Sequence, residues 1–155
     1  MKIATWNVNG IRKREPEVLD WIAQEQPDVL CLQELKAKRE QVPASLCELA
    51  GYWCYWHGAS GYSGVSLQVS KTLCPNEPRF SHPEFDHETP IVEAAFDDLV
   101  IASIYVPNGG KDFAAKLRFL EAMEGYVARH RQNGRSIVLC GDMNVARSDA
   151  DVHPK

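Results

Sequence analysis

Val29 to Leu32 is apolar at every position and is closed off by Asp28 before it and Gln33 after it. A run this short and this continuous reads as a strand covered on both faces, because a half-exposed strand would alternate. A second such run, Ile137 to Cys140, halts at Gly141. Strands buried on both sides need other layers above and below them, and that requirement constrains the chain more than anything else in it.

The remaining periodicities supply those layers. A strand from Lys2 to Trp6 leads into the turn-like Asn7–Gly10. A helix is expected from Pro16, suited to a first helical position, to before Pro27, with Val18, Leu19 and Ile22 inward. A second helix is expected over residues 43–50, ending at Gly51. Residues 52–58, "YWCYWHG", are apolar on both alternating faces and read as a buried strand, with "GVSLQVS" as its neighbour across small turn residues. The aromatics Tyr52, Trp53, Tyr55 and Trp56 are assigned to packing. Residues 71–90 hold four prolines and no period, so an irregular connection is expected there. Strands follow near Ile91–Phe96 and Leu99–Val106. Phe113, Leu117, Leu120, Met123 and Val127 then mark the inward stripe of the longest helix, closed by Asn133-Gly134. Strand Ser136–Cys140 comes last. Helices mixed with doubly buried strands make this an α/β layered fold.

At 155 residues the chain has the length of one domain, and its 45% apolar content is enough for a core. No apolar stretch is long enough to span a bilayer, and the N-terminus lacks a secretory pattern, so no membrane is expected and the address is cytoplasmic by default. The five cysteines are scattered with no Cys-x-x-Cys pair. That pattern argues against structural zinc and a disulfide framework, and for free thiols. The net charge of −4 argues against a protein that coats nucleic acid, but basic clusters at 12–14 and 35–39 sit beside two candidate loops. Each cluster alone reads as solvated surface. The five histidines show no pairing pattern, and His130 is expected in solvent.

Four strand ends carry similar polar residues: Asn7 and Asn9, Gln33 and Glu34, Tyr105 and Asn108, Asp142 and Asn144. Ligands in α/β sheets gather outside the carboxyl ends of strands, so the four sets together outline a convergent site. Carboxylates and amides of this kind suit metal-assisted phosphoryl transfer. Glu34 fits a Mg²⁺ ligand, Asp142 an activator of attacking water, and the amides with Tyr105 fit phosphate binding without added negative charge. Each member also has a plainer reading. Asn9-Gly10 and Asp142–Asn144 serve as turn formers, Glu34 as a solvated loop acid, and Tyr105 as core with its hydroxyl at the surface.

Taken in order, "TWNVNGIR", "PDVLCLQELK", "GYSGVSL", "YVPNGG" and "GDMNVA" closely resemble exonuclease III-type apurinic/apyrimidinic endonucleases, of the endonuclease/exonuclease/phosphatase superfamily. The resemblance runs from the first strand to the last. It implies the N-terminal half of a four-layer, deoxyribonuclease I-like α/β sandwich, a mixed sheet with helices on one face, with residues 1–155 as a single partial domain. It implies Mg²⁺, or Mn²⁺ in its place, held by Glu34 with Asn7 beside it. Asp142, Asn144 and Tyr105 take catalytic places, while Asn9, Arg12, Lys36, Tyr62, Ser63 and Asn108 take phosphate- and DNA-binding ones. The implied substrate is double-stranded DNA with abasic sites, cut on the 5′ side, with 3′-5′ exonuclease and 3′-phosphatase activity alongside.

Departures accompany the match. Family members are longer, and their second half carries a catalytic Asp-His pair in an "SDH"-like motif; "SDAD" at 148–151 lacks the histidine. Pro90 stands where an arginine is common. Glu93 places a charge in an apolar strand and is expected to face solvent or find a partner. A half-sandwich is further expected to leave one sheet face bare, which implies a dimer, a complementing C-terminal fragment or poor solubility. Alternatives in function are another phosphatase or lipid phosphodiesterase of the superfamily, and a non-catalytic remnant that binds DNA or a partner.

Overall fold

The computed structural model describes residues 1–59, 63–86, 90–110 and 112–152. Its strands are β1 (Ile3–Asn7), β2 (Val29–Gln33), β3 (Tyr52–His57), β4 (Val65–Ser70), β5 (Arg79–Ser81), β6 (Ile91–Phe96), β7 (Leu99–Tyr105) and β8 (Ser136–Asp142). Its α-helices are α1 (Ile11–Glu25), α2 (Ala44–Cys47) and α3 (Phe113–Gln132). The strands form two four-stranded sheets, ordered β1-β2-β4-β3 and β5-β6-β7-β8. In each sheet one pair is parallel, β1 with β2 and β7 with β8, and the other pairs are antiparallel.

The doubly buried run predicted at Val29–Leu32 is the centre of the molecule: every residue of β2 is buried. One side of it, through Val29 and Cys31, joins Val65, Leu67 and Val69 against Val92, Ala94 and Ile101 of the other sheet. The opposite side, through Leu30 and Leu32, packs with Val18 and Ile22 of α1 and Leu46 of α2. Helix α3 covers the outer face of the second sheet, with Phe119 and Tyr126 buried against Ala102 and Ile104. The result is four layers: helix, sheet, sheet, helix. Each sheet carries helices on one face, as expected, and gives its other face to its partner sheet. Among the described residues the two inner faces cover each other, in place of the bare face expected of a half-sandwich.

Several boundaries differ from the sequence expectation for identifiable reasons. Helix α1 begins at Ile11 rather than Pro16, because Ile11 is fully buried and its N–H donates to the Leu35 carbonyl at 3.0 Å. Tertiary anchoring starts the helix early, and Pro16 is carried inside it. It ends as expected, with Gln26 left-handed (φ 45°) ahead of Pro27. Helix α2 is a single turn and not the eight residues expected. A three-residue strand, β5, lies inside the connection that was expected to be irregular, pairing with Glu93–Ala95. Strands β3 and β8 are half-buried because each forms a sheet edge, not the buried interior predicted for them.

The stripe expected on α3 is met by Leu120, Met123 and Val127, which pack against the core, but not by its first two members. Phe113 and Leu117 are 62% and 45% exposed, while Phe119 and Tyr126 face inward. The first turns of α3 lie over the strand ends, where Lys116 reaches the Asn144 carbonyl, so only the later turns cover the sheet. The inward face of α3 also serves Glu93. Its carboxylate accepts from Ser81 Oγ at 2.7 Å and from the Tyr126 hydroxyl, and lies 3.3 Å from His130 Nε2. Glu93 thus has partners, and His130 is held against it rather than solvated. Burial and the adjacent Glu93 carboxylate together push the Tyr126 phenol far above its usual range.

Gly141 sits in β8 opposite Ile104, at φ 151°, and a Cβ there would collide with the Ile104 backbone. We expect Gly141→Ala to destabilise the fold by about 1–3 kcal/mol, the usual cost of overpacking. In urea denaturation this would appear as a lower midpoint at an unchanged slope.

Candidate functional site

The carboxyl ends of β1, β2, β7 and β8 meet at one end of the sandwich. The Asn7 side-chain amide, at the end of β1, donates to Glu34 Oε1 and to Asp142 Oδ2, both at 2.9 Å. Glu34 follows β2 in one sheet and Asp142 ends β8 in the other. One amide group therefore joins two carboxylates from different layers.

The loop bearing Glu34 is held on both sides by backbone hydrogen bonds. Gly10 and Ile11 donate to the carbonyls of Glu34 and Leu35, while Leu35 and Lys36 donate to those of Gly64 and Ser63. Leu35 is 1% exposed and pins the loop to the core. Within this frame Glu34 and Lys36 adopt φ of 53° and 49°, a left-handed conformation that glutamate and lysine rarely take. The strain brings them together: Lys36 Nζ lies 2.9 Å from Glu34 Oε2 and also donates to Asn9 Oδ1. Asn9 is itself left-handed, and its N–H bonds Asn7 Oδ1 at 3.1 Å.

On the other side, Asp142 Oδ1 accepts the Asn144 N–H at 3.0 Å, and Asn144 Nδ2 donates to the Val106 carbonyl at 2.8 Å. Asn144 therefore partners Asp142 through its backbone, while its side chain ties β8 to the end of β7. Tyr105 stands between the carboxylates. Burial raises its pKa, the adjacent Glu34 charge raises it further, and a hydrogen bond with Asn144 opposes both. Its phenol consequently stays protonated and able to donate.

The structure brings Asn7, Asn9, Glu34, Lys36, Tyr105, Asp142 and Asn144 into one cluster. It leaves others outside. Asn108 is exposed and caps its own turn, accepting from Gly110 N–H at 3.0 Å. Arg12 is exposed at the start of α1, and Ser63 joins through its backbone carbonyl. Tyr62 lies outside the described residues. Lys116 escaped the sequence reading, and Gln33, grouped there with the strand-end polar residues, lies deeper than the others. Lys116 of α3 donates to the Asn144 carbonyl at 2.5 Å, from the early turns that the apolar stripe placed inward. Beneath the cluster Gln33, 1% exposed, bonds Thr5 and Ser103, each at 3.2 Å. Thr5 and Ser103 sit two residues before Asn7 and Tyr105, so strand alternation carried the signal.

Hard oxygen donors from Glu34, with Asn7 and Asp142 adjacent, match the one or two carboxylates that Mg²⁺ takes. The Lys36 ammonium already places positive charge against Glu34 Oε2.

The sequence matches the endonuclease/exonuclease/phosphatase family over residues 4–154. It is 35% identical to the DNA repair nuclease APEX1 of Danio rerio, an alignment covering 100% of this chain and 53% of that protein. Among solved structures, an AP endonuclease from Archaeoglobus fulgidus superposes with a TM-score of 0.84 at 32% identity, covering 99% of this chain and 61% of that one. The 3′ phosphatase NExo from Neisseria, bound to product DNA hairpin, gives 0.82 at 31% identity, covering 97% and 60%. The chain thus spans a little over half the length of the proteins it resembles.

Burial works against ionisation of Glu34, but hydrogen bonds from Asn7 and Lys36 and the Lys36 charge outweigh it and lower its pKa from the model-compound value of 4.5. A depressed carboxylate stabilises the fold fully above its unfolded pKa and loses that contribution as pH falls through the folded value. Carboxyl ¹³C titration by NMR should place the Glu34 midpoint below 4.5, and Asn7→Ala should move it upward. A midpoint unmoved by that substitution would contradict the bridge.

Proposed function

This chain belongs to the endonuclease/exonuclease/phosphatase family, and on that footing we propose that its strand-end cluster is the phosphodiester-cleaving site of a DNA repair nuclease. The reaction we assign is Mg²⁺-dependent hydrolysis on the 5′ side of abasic sites in duplex DNA, with 3′-5′ exonuclease and 3′-phosphatase activity from the same site. The observation that carries this reading is the Asn7 amide joining Glu34 and Asp142 across the two sheets. The similar proteins, a repair nuclease, an AP endonuclease and a 3′ phosphatase bound to product DNA, support DNA as the substrate.

The residues divide the work. Asp142, fixed by Asn7 and the Asn144 N–H, is placed to accept a proton from attacking water. Tyr105, kept protonated, donates to a phosphoryl oxygen, and a neutral donor is the better choice beside two carboxylates. Glu34, with Asn7, would hold Mg²⁺ or Mn²⁺, which supplies polarisation of the phosphate and stabilises charge on the leaving oxygen. Lys36 and Asn9 then line the phosphate approach, with Arg12, Ser63 and Asn108 on the surrounding rim; Tyr62 is assigned there by resemblance alone. Lys116 fixes the Asn144 carbonyl and with it the Asp142 turn.

The proposed address is cytoplasmic, supported by five cysteines that are all free. No helix among the described residues is long and apolar enough to cross a membrane. The half-buried β8 at the rim of its sheet supports a partner there, either a complementing C-terminal fragment or a second copy.

In an incision assay on abasic duplex with Mg²⁺, Asp142→Ala should lower the rate by on the order of 10²–10⁴, the usual worth of a positioned base. An unchanged rate would remove the role given to Asp142. Affinity for the same duplex should fall steeply with salt, and Arg12→Ala should reduce the slope by about 1. Salt-dependent binding with no incision would leave the DNA-binding remnant as the better description.

A further inference from the structure

The histidines that showed no pairing in the sequence do pair in space. His57 ends β3, His82 follows β5, and both face Asp86. His57 Nε2 is 2.5 Å from Asp86 Oδ2, and His82 Nδ1 is 3.8 Å from the same oxygen. The two imidazoles stack at 3.7 Å between centroids with 28° between planes. One ligand atom from each of the three residues fits within a 4.8 Å span. Both imidazoles thus present a ring nitrogen to one carboxylate oxygen.

We propose that His57, His82 and Asp86 form a zinc site, separate from the strand-end cluster. The donor set decides the ion: imidazole nitrogens favour Zn²⁺ and its transition-metal neighbours, whereas Mg²⁺ is held by oxygens. Three protein ligands leave a fourth position for water. Tetrahedral ligands at about 2.0–2.1 Å from zinc lie roughly 3.3 Å from one another, so the two imidazoles, stacked at 3.7 Å, would splay apart at their far edges as the ion enters.

The surroundings already orient the ligands. Asp86 Oδ1 accepts the Ile91 N–H at 3.1 Å, which aims Oδ2 at the histidines. The Asp86 side chain is 7% exposed, against 22% for His57 and 26% for His82, so the carboxylate is sheltered while the rings remain reachable. His82 Nε2 lies 3.0 Å from the Tyr55 hydroxyl, and Nδ1 lies 3.1 Å from the Ile91 carbonyl. Without metal, Nδ1–H donates to that carbonyl. With metal on Nδ1, the proton moves to Nε2 and donates to Tyr55, the outer-shell arrangement that metal-bound histidines adopt. Zinc would fasten the end of β3 to the turn before β6. It would also brace Gly58, which packs on the Ala37 backbone next to Lys36. The scattered cysteines gave no sign of such a site because it contains none.

The test is titration of the chelator-stripped chain with Zn²⁺ by calorimetry, and with Co²⁺ by visible absorption. One equivalent should bind, Co²⁺ should show the ligand-field bands of a four-coordinate ion, and excess Mg²⁺ should displace neither. Zn²⁺ should raise the melting temperature, an effect Mg²⁺ does not reproduce. Asp86→Asn, which keeps an acceptor for Ile91, and His82→Ala should each abolish stoichiometric binding. Tyr55→Phe should weaken it by about 10–100-fold. Glu34→Gln should leave it unchanged, which separates this site from the proposed active site. No stoichiometric binding, or binding that survives His82→Ala, would overturn the proposal.

Discussion

The Asn7 amide has two donor hydrogens, and each is spent on a carboxylate from a different sheet. Its two partners are 27 and 135 residues away, so the contact exists only once both sheets have formed and packed. Two carboxylates brought this close repel, and a neutral donor between them relieves part of that repulsion without cancelling their charge. Lys36 does the rest on the Glu34 side. The site therefore sets two carboxylates side by side at the mouth of an apolar core.

Strand periodicity explains why the core can end in such a group. Moving along the space between the sheets, Cys31 and Ile101 belong to the apolar layer, Gln33 and Ser103 form a buried polar layer, and Tyr105 and Asp142 sit at the rim. Each step is two residues along a strand, so polarity rises in register on both sheets. Gln33 is buried yet satisfied, which removes the usual cost of placing an amide in a core. The polar layer gives the rim residues a firm base.

Much of this is legible in the amino-acid sequence. The doubly buried run at Val29–Leu32 located the centre of the fold, and the polar residues at four strand ends located the cluster. What escaped the reading depended on contacts between distant segments. Ile11 begins α1 because of Leu35, and β5 exists because Glu93–Ala95 lies beside it. Phe113 and Leu117 share a periodic stripe with Leu120 and Met123, but periodicity does not say where a helix overhangs its sheet. Asn108 looked equivalent to Asn144 as a strand-end amide. One closes its own turn and the other ties two strands together, a difference that local sequence does not contain.

The left-handed residues make a related point about where the strain lies. Asn9 and Asn144 take that conformation at little cost, as asparagine commonly does. Glu34 and Lys36 do not, yet they are the pair whose charges must meet. A glycine at either position would relax the backbone and remove the charge. The loop instead keeps the charged side chains and draws its conformation from four flanking backbone hydrogen bonds and from buried Leu35. Neighbouring strands thus hold in place a geometry that the loop would not choose alone, which is how a rigid sandwich can present a charged site without flexible parts.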